Sequence, residues 1–179
     1  MKYNLRSLLT NNNKKHFSTS CPDIKDCVDF RVNIKGGYVI DIYDGDTITI
    51  ATRYPGLKNS PMYKFRVRML GIDCPEIGKK NIKENEIAIQ VRDILKEKIL
   101  SKYVTLKMSE KSGVVDPFNR ILAWVFLDKT ININTWLLSN NLCKEYDGKK
   151  KRELWENDEL DRIKSGVDKI LASTPTPKK

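Results

Sequence analysis

Five short segments in the middle of the chain have the β-branched, aromatic or alternating character that is typical of strands. Asp44, Gly45 and Asp46 form a turn signal between the first two of these segments, which predicts a β-hairpin. The predicted strands are residues 38–43, 47–50, 63–70, 103–108 and 121–127. Their short length and their separation by turn residues favour a small sheet that closes on itself.

Three other segments repeat apolar residues at helical spacing. In the first, apolar residues such as Ile87, Val91 and Ile99 fall on one stripe, and no proline or glycine interrupts the pattern. We expect Asn134 to cap the second helix and Gly166 to interrupt the third. The predicted helices are residues 85–100, 134–142 and 154–171.

The order of these elements predicts an α+β fold that is mostly β. We expect a five-stranded OB-type barrel, with one helix between strands 3 and 4 and two C-terminal helices. The predicted parts are a basic, flexible leader over residues 1–30, the barrel domain over residues 31–148, and a C-terminal helix with a frayed tail over residues 149–179. Such barrels often bind nucleic acids or oligosaccharides, but a fold alone does not decide function.

Composition narrows the possible classes of protein. A chain of 179 residues that is 40% hydrophobic can form a packed core, which excludes wholesale disorder. No apolar run approaches the roughly 18 residues that a membrane helix needs. The net charge of +10 favours an anionic partner such as nucleic acid. We also expect a monomer, because the sequence shows no apolar surface stripe.

The cysteines and the start of the chain bear on metal binding and location. The four cysteines include no C-x-x-C pair and the chain has one histidine, so a structural zinc site is not expected. The first 20 residues have no apolar signal segment. These features favour reduced thiols in an intracellular, cytoplasmic protein. Organellar targeting by the basic leader is the alternative.

Carboxylates and arginines gather at predicted turns and strand ends. Asp46 lies in the hairpin turn, and Asp73 and Glu76 follow the third strand. Carboxylates that converge in this way suit a hard cation such as Ca²⁺, although Asp-Gly-Asp alone is also ordinary turn chemistry. Arg68 and Arg120 add two guanidinium groups, which hold phosphate oxygens in a forked geometry. Together these groups are the components of a phosphodiester-cleaving site.

Four segments give the sequence a specific resemblance. From about residue 36 to residue 146 the chain resembles the staphylococcal nuclease (thermonuclease) family, in the order and spacing of its segments. One such segment is a weak signal, whereas four in series are a strong one. The segments are DGDT (44–47), FRVRMLGIDCPE (65–76), DPFNRILA (116–123) and INTWLL (133–138).

The resemblance implies a calcium site. Asp46 and Asp73 would bind Ca²⁺ directly, helped by the backbone carbonyl of Cys74, and Asp44 would support the site from further out. Cys74 stands where the family usually has threonine. That change is tolerable if only the carbonyl binds the metal.

The resemblance also implies a reaction. Glu76 would act as the general base on the attacking water, and Arg68 and Arg120 would hold the scissile phosphate and stabilise the transition state. The implied activity is a calcium-dependent endonuclease that hydrolyses DNA and RNA, preferably single-stranded, at the P–O5′ bond and leaves 3′-phosphate ends.

Three further residues are candidates for substrate binding. Tyr146 resembles a family tyrosine that lines the nucleotide pocket, although ordinary packing explains it equally well. Lys79 and Lys80 lie in a loop where they could contact the nucleic-acid backbone or remain solvated. Pro117 and Phe118 replace the family's usual lysine and tyrosine, and the loss of a terminal-phosphate contact would alter the balance of exo- and endonuclease activity.

A second class of function stays open. Nuclease-like barrels also occur as catalytically weak or inactive modules that bind nucleic acid or protein. Such a module needs exposed aromatic residues, and Tyr38, Tyr43, Tyr54 and Tyr63 could stack on bases in it, although strand aromatics more often pack. The five matched site residues all keep the expected chemical type, which favours the enzyme.

Overall fold

The protein is described from a computed structural model, which defines residues 23–26, 33–108, 115–148 and 154–173. The chain divides into two units, Met1–Arg31 and Val32–Lys179. The described part of the first unit contains a 3-10 turn at Ile24–Asp26. Most of the predicted leader and the predicted frayed tail lie outside the described residues. All the strands and helices that follow belong to the second unit.

Five long strands of the second unit form a closed barrel. Its strands are neighbours in the order β3-β2-β1-β5-β6, all antiparallel, and a parallel pairing of β3 with β6 closes the ring. The strands are β1 (Gly36–Asp44), β2 (Thr47–Arg53), β3 (Met62–Met69), β4 (Ile72–Asp73), β5 (Tyr103–Met108), β6 (Ile121–Leu127), β7 (Ile131–Asn132) and β8 (Lys144–Glu145). The two-residue strands β4, β7 and β8 were not predicted, because they are too short to show a period.

The alternation that predicted the strands is also what fills the barrel. Along β6 the side chains of Ile121, Ala123, Val125 and Leu127 are buried, and the residues between them are partly exposed. A strand turns successive side chains to opposite faces, so one set enters the core.

Three helices accompany the barrel, and the predicted OB-type fold is confirmed. They are α1 (Ile82–Ile99), α2 (Ile133–Ser139) and α3 (Asn157–Ser173). The predicted apolar stripe of α1 is buried. This helix begins three residues earlier than predicted, because Asn81 Oδ1 accepts a hydrogen bond from the Glu84 backbone N at 3.2 Å and caps it.

The predicted cap of α2 is wrong. Asn132 caps this helix by accepting a hydrogen bond from the Thr135 backbone N at 3.2 Å. The side chain of Asn134 is buried instead, where it accepts from the Val125 N at 3.0 Å and donates to the Leu70 O at 2.7 Å. Asn134 therefore ties α2 to the barrel at two points.

The predicted interruption of α3 is also wrong, because this helix continues through Gly166. A Cβ at Gly166 would lie 2.3 Å from the Asn140 carbonyl oxygen and 2.7 Å from that of Asn141. The glycine therefore lets α3 approach the chain after α2 at close range. Within the described part of the chain, none of the helices combines the length and apolar character that a membrane crossing requires.

Candidate active site

The candidate site lies where the β1–β2 turn meets the end of β3. Thr47, which follows the turn, pairs with Arg68 across the sheet, and the Met69 N donates a hydrogen bond to the Asp46 O at 2.8 Å. Gly71 adopts a positive φ of 77°, which turns the chain from β3 into β4 and brings Asp73 back beside Arg68. Residues from two of the predicted segments, 44–47 and 65–76, thus meet at one place.

Two buried carboxylates share one guanidinium. Arg68 forms an ion pair through Nη1 with Asp46 Oδ1, and through Nη2 with Asp73 Oδ1 at 3.1 Å. The side chain of Arg68 is only 12% exposed, and both aspartates are buried. Charged groups are costly to remove from water unless they are paired, so this cluster depends on all three side chains.

The Asp46 carboxylate is held firmly from several directions. Its Oδ2 accepts from the Cys74 backbone N at 2.9 Å and its Oδ1 from Thr47 Oγ1 at 3.1 Å. Its own backbone N donates to Asp44 Oδ1 at 3.2 Å, so Asp44 positions the turn. A Cβ at Gly45 would lie 2.7 Å from Cys74 Sγ, so the close packing of the turn requires glycine.

The donor set at this point fits a hard cation. Asp46 and Asp73 both contact the Arg68 guanidinium, so the two carboxylates lie near one another, and carboxylate oxygen is the ligand type that Ca²⁺ prefers. Within the described ranges, no group of three or more His, Cys, Asp or Glu side chains could hold a metal ion. A cation here would therefore need backbone oxygen and water as well as the two carboxylates.

The Cys74 thiol does not suit metal binding. Burial raises its pKa well above the usual value of 9.0, and a hydrogen bond with the Cys143 side chain adds to the increase. A neutral thiol is a poor ligand for a hard cation. The thiol of Cys74 therefore packs in the core, which leaves its backbone carbonyl as the atom of interest.

The predicted base, Glu76, lies on the loop between β4 and α1. Its carboxylate Oε2 forms an ion pair with Lys79 Nζ, and its side chain is 29% exposed. The loop is tied to α1 by two hydrogen bonds, from the Glu76 N to Glu84 Oε1 at 3.2 Å and from the Gly78 N to Asn85 Oδ1 at 2.7 Å. The first turn of α1 thus fixes the backbone that carries Glu76.

Glu84 is a site residue that the sequence reasoning missed. Its side chain is buried, and burial raises its pKa; the charge of Lys79 opposes the increase and that of Asp73 adds to it. The Asn81-x-x-Glu84 spacing is a capping-box signal. It predicts that the Asn81 backbone N donates a hydrogen bond to the Glu84 carboxylate. The structure instead directs the Glu84 carboxylate to the Glu76 backbone.

Arg120 is held in place by Asp116. Its Nε and Nη2 both lie 2.7 Å from Asp116 Oδ2, and its backbone N donates to Asp116 Oδ1 at 2.9 Å. Asn119 adopts the left-handed conformation expected to be available to it, with a φ of 59°. The Arg120 guanidinium carbon lies 5.3 Å from the centre of the Phe118 ring. This turn therefore fixes the direction of Arg120.

The hydrogen bonds of Asp116 make stability depend on pH. Burial alone would raise its pKa, but the backbone and side-chain hydrogen bonds of Arg120 hold the pKa below the usual 3.8. Because the folded-state pKa of Asp116 is lowered, its ionised carboxylate stabilises the fold fully at pH values above the unfolded-state pKa. This stabilisation is lost as the pH falls through the folded-state pKa.

We expect Asp116→Asn to lower the free energy of unfolding by about 1–3 kcal/mol at neutral pH, with a smaller loss as the pH falls below about 4. Urea unfolding of the variant and the wild type across this range measures the difference. Glu97→Gln, at an exposed position of α1, is the matched control. A loss that is equal at all pH values would contradict this account.

The remaining substrate candidates are dispersed. The Tyr146 N donates to the Gly71 O at 3.1 Å, and Tyr146 lines a cavity of about 580 Å³ together with Asp73 and Lys144. Lys79 pairs with the candidate base, and Lys80 is exposed. By contrast, Arg68 is in direct contact with both Asp46 and Asp73.

Comparison with known proteins supports the sequence resemblance. The family model described as "Staphylococcal nuclease homologue" matches residues 66–165 of this chain. An uncharacterized protein of Methanocaldococcus jannaschii is 25% identical over 129 residues, which cover 62% of this chain and 58% of the relative. The chain therefore spans less than two thirds of the length of that relative.

Proposed function

The chain belongs to the staphylococcal nuclease family, and on that premise we propose that it hydrolyses phosphodiester bonds of DNA and RNA. The observation that best supports the proposal is the buried cluster of Arg68 with Asp46 and Asp73. Buried charges of this kind seldom improve stability over apolar packing, and they occur often at functional sites.

The metal part of the proposal follows from the two carboxylates. A calcium ion held by Asp46, Asp73 and the backbone carbonyl of Cys74 would supply positive charge beside the phosphate and make nearby water more acidic. Asp44 would act through the backbone of Asp46, to which it is hydrogen bonded.

The remaining steps are assigned to this chain's own side chains. Glu76 takes a proton from the attacking water, whose oxygen bonds to phosphorus as the P–O5′ bond breaks. Arg68 and Arg120 bind non-bridging phosphate oxygens and stabilise the charge of the five-coordinate transition state. The products are a 3′-phosphate and a 5′-hydroxyl, which takes up a proton.

The geometry supports these roles in one specific way. The parallel pairing of β3 with β6 places Arg68 opposite Leu122, two residues after Arg120, so two arginines from distant parts of the sequence lie in the region where β3 meets the start of β6. Two guanidinium nitrogens of Arg120 contact Asp116 Oδ2, which keeps the guanidinium ordered before substrate binds.

The test is digestion of heat-denatured DNA and of RNA, followed on a gel with Ca²⁺ or with EDTA. We expect digestion with Ca²⁺, none with EDTA, faster cleavage of single-stranded than of duplex DNA, and 3′-phosphate ends. A folded chain that shifts nucleic acid on a gel but never digests it would contradict the proposal and favour a non-catalytic binding module. Elution as a monomer in gel filtration would agree with our expectation that one chain suffices.

A further inference from the structure

One face of β3 carries a row of cations that leads to the candidate site. Lys64, Arg66 and Arg68 alternate with Phe65 and Val67 along this strand. Alternate residues of a strand lie on the same face, about 6.6 Å apart. Lys64 and Arg66 are exposed, whereas Arg68, at the end of the row, is the guanidinium bound to the two aspartates.

This row borders a groove beside Arg120. The groove has a volume of about 650 Å³, and Lys64, Arg66, Phe118 and Asn119 are among its lining residues. Phe118 is 73% exposed and lies two residues before Arg120. Arg120 lies between two lining residues, Asn119 and Ile121, and Arg68 lies two residues after the lining residue Arg66, although neither arginine itself lines the groove.

Lys64 and Arg66 are available for a ligand. Among the described residues, neither side chain has a hydrogen-bond or ion-pair partner, in contrast to the side chains of Arg68 and Arg120, which are held by carboxylates. Asp41 also lines the groove but pairs with neither cation. Exposed cations that are not neutralised by the protein attract anions more strongly than paired ones do.

We propose that this groove binds the part of a single-stranded polynucleotide that flanks the scissile phosphate. Lys64 and Arg66 contact successive backbone phosphates, and Phe118 stacks on a base. This inference rests on the proposed function for its substrate, but its contacts lie outside the residues assigned to catalysis.

The spacing and the aromatic ring favour a single strand over a duplex. The distance between same-face residues of β3 is close to the length of one nucleotide in an extended strand. Bases of a duplex are stacked inside it, whereas those of a single strand can stack on an exposed ring such as Phe118. A cationic track beside an aromatic side chain is the usual arrangement for single-strand binding.

The experiment measures binding of a labelled single-stranded oligonucleotide by fluorescence anisotropy, in EDTA and at several salt concentrations. We expect the Lys64→Ala/Arg66→Ala double variant to bind at least tenfold more weakly at low salt. The slope of log affinity against log salt should decrease in size by about 1.4, because each phosphate contact to a single strand contributes about 0.7. The double variant should lose less affinity for a duplex of the same sequence.

The controls separate position from charge. Arg162→Ala/Lys169→Ala removes the same charge from exposed positions of α3, an element that does not line the groove, and should leave the slope unchanged. Lys64→Arg/Arg66→Lys keeps the charge and should keep most of the slope. Thermal unfolding of every variant shows whether it is folded.

Phe118 gives an independent readout. Phe118→Leu keeps an apolar side chain but removes the ring, and we expect about tenfold weaker binding of the single strand with an unchanged salt slope. Phe118→Tyr keeps a ring and should bind as the wild type does.

The outcomes distinguish this inference from the proposed nuclease activity. Three results would overturn the groove assignment. They are a salt slope for Lys64→Ala/Arg66→Ala equal to that of the wild type, a loss of affinity in the α3 control equal to that of this double variant, and no binding of the oligonucleotide by the wild type. If the wild type still cleaves nucleic acid when one of these results is found, only the groove assignment fails and the nuclease proposal is unaffected. The expected change of slope without any cleavage by the wild type would overturn the nuclease proposal alone.

Discussion

Glu76→Gln is expected to lower kcat on denatured DNA by about 10²–10³ while the protein stays folded. The amide keeps the shape and the polarity of the side chain but cannot take a proton from water. The fold should tolerate the change, because the Glu76 side chain is partly exposed and its backbone bond to Glu84 is unaffected. Single-turnover cleavage at saturating substrate and Ca²⁺ measures the effect, and thermal unfolding confirms the fold.

Glu86→Gln is a suitable control for this variant, because Glu86 is exposed on α1 and its replacement changes the net charge equally. We expect this control to cleave as the wild type does. A folded Glu76→Gln variant with a rate near that of the wild type would remove Glu76 from the role of base. Another group, or the metal alone, would then have to activate the water.

Arg120→Ala is expected to lower kcat by a similar factor, about 10²–10³, because it removes one charge aimed at the transition state. It also leaves the Asp116 carboxylate without the guanidinium that pairs with it, so a loss of stability is expected as well. Arg120→Lys separates the two effects. It keeps the charge near Asp116, yet it should still cleave at least tenfold more slowly, because an ammonium cannot bind two phosphate oxygens in a fork.

Arg92→Ala serves as the control for the two Arg120 variants. Arg92 pairs with Asp93 on the surface of α1, so its removal changes the charge without touching the site. Cleavage by Arg120→Lys at the wild-type rate would show that charge alone suffices at this position. Cleavage by Arg120→Ala at that rate would exclude Arg120 from the mechanism.

The sequence allowed most of the fold to be predicted, because periodicity reports which face of an element is buried. The stripe of α1 and the alternation along β6 both became core. The parallel pairing of β3 with β6 was not predictable in the same way. It joins segments that are far apart in sequence, and its register depends on the packing of the whole barrel.

The two wrong predictions, for Asn134 and Gly166, concern residue types that can have more than one structural role. Asn134 has the properties of a helix cap, but its amide satisfies two backbone groups of the barrel and Asn132 provides the cap. Gly166 has the properties of a helix breaker, but packing against the Asn140 carbonyl requires the absence of a side chain there. Neither use is visible without the neighbouring element.

The candidate site was likewise predicted only in part. Residue types and spacing identified Asp46, Asp73 and Arg68 as candidates, and the structure places these three in direct contact. The support given by Glu84 and Asp116 was not predicted, because each reaches a partner only after a helix or a turn has formed. Their roles depend on distances, which spacing along the sequence does not report.

The closure of the barrel by β3 and β6 also has a consequence for how the protein folds. Closing a long loop costs more conformational entropy than forming a hairpin, so this pairing is expected to form after the β1–β2 and β2–β3 hairpins. Arg68 and Arg120 come together only at that step. During synthesis the chain is surrounded by ribosomal RNA, and it would acquire both phosphate-binding arginines only after β6 has been made and has docked.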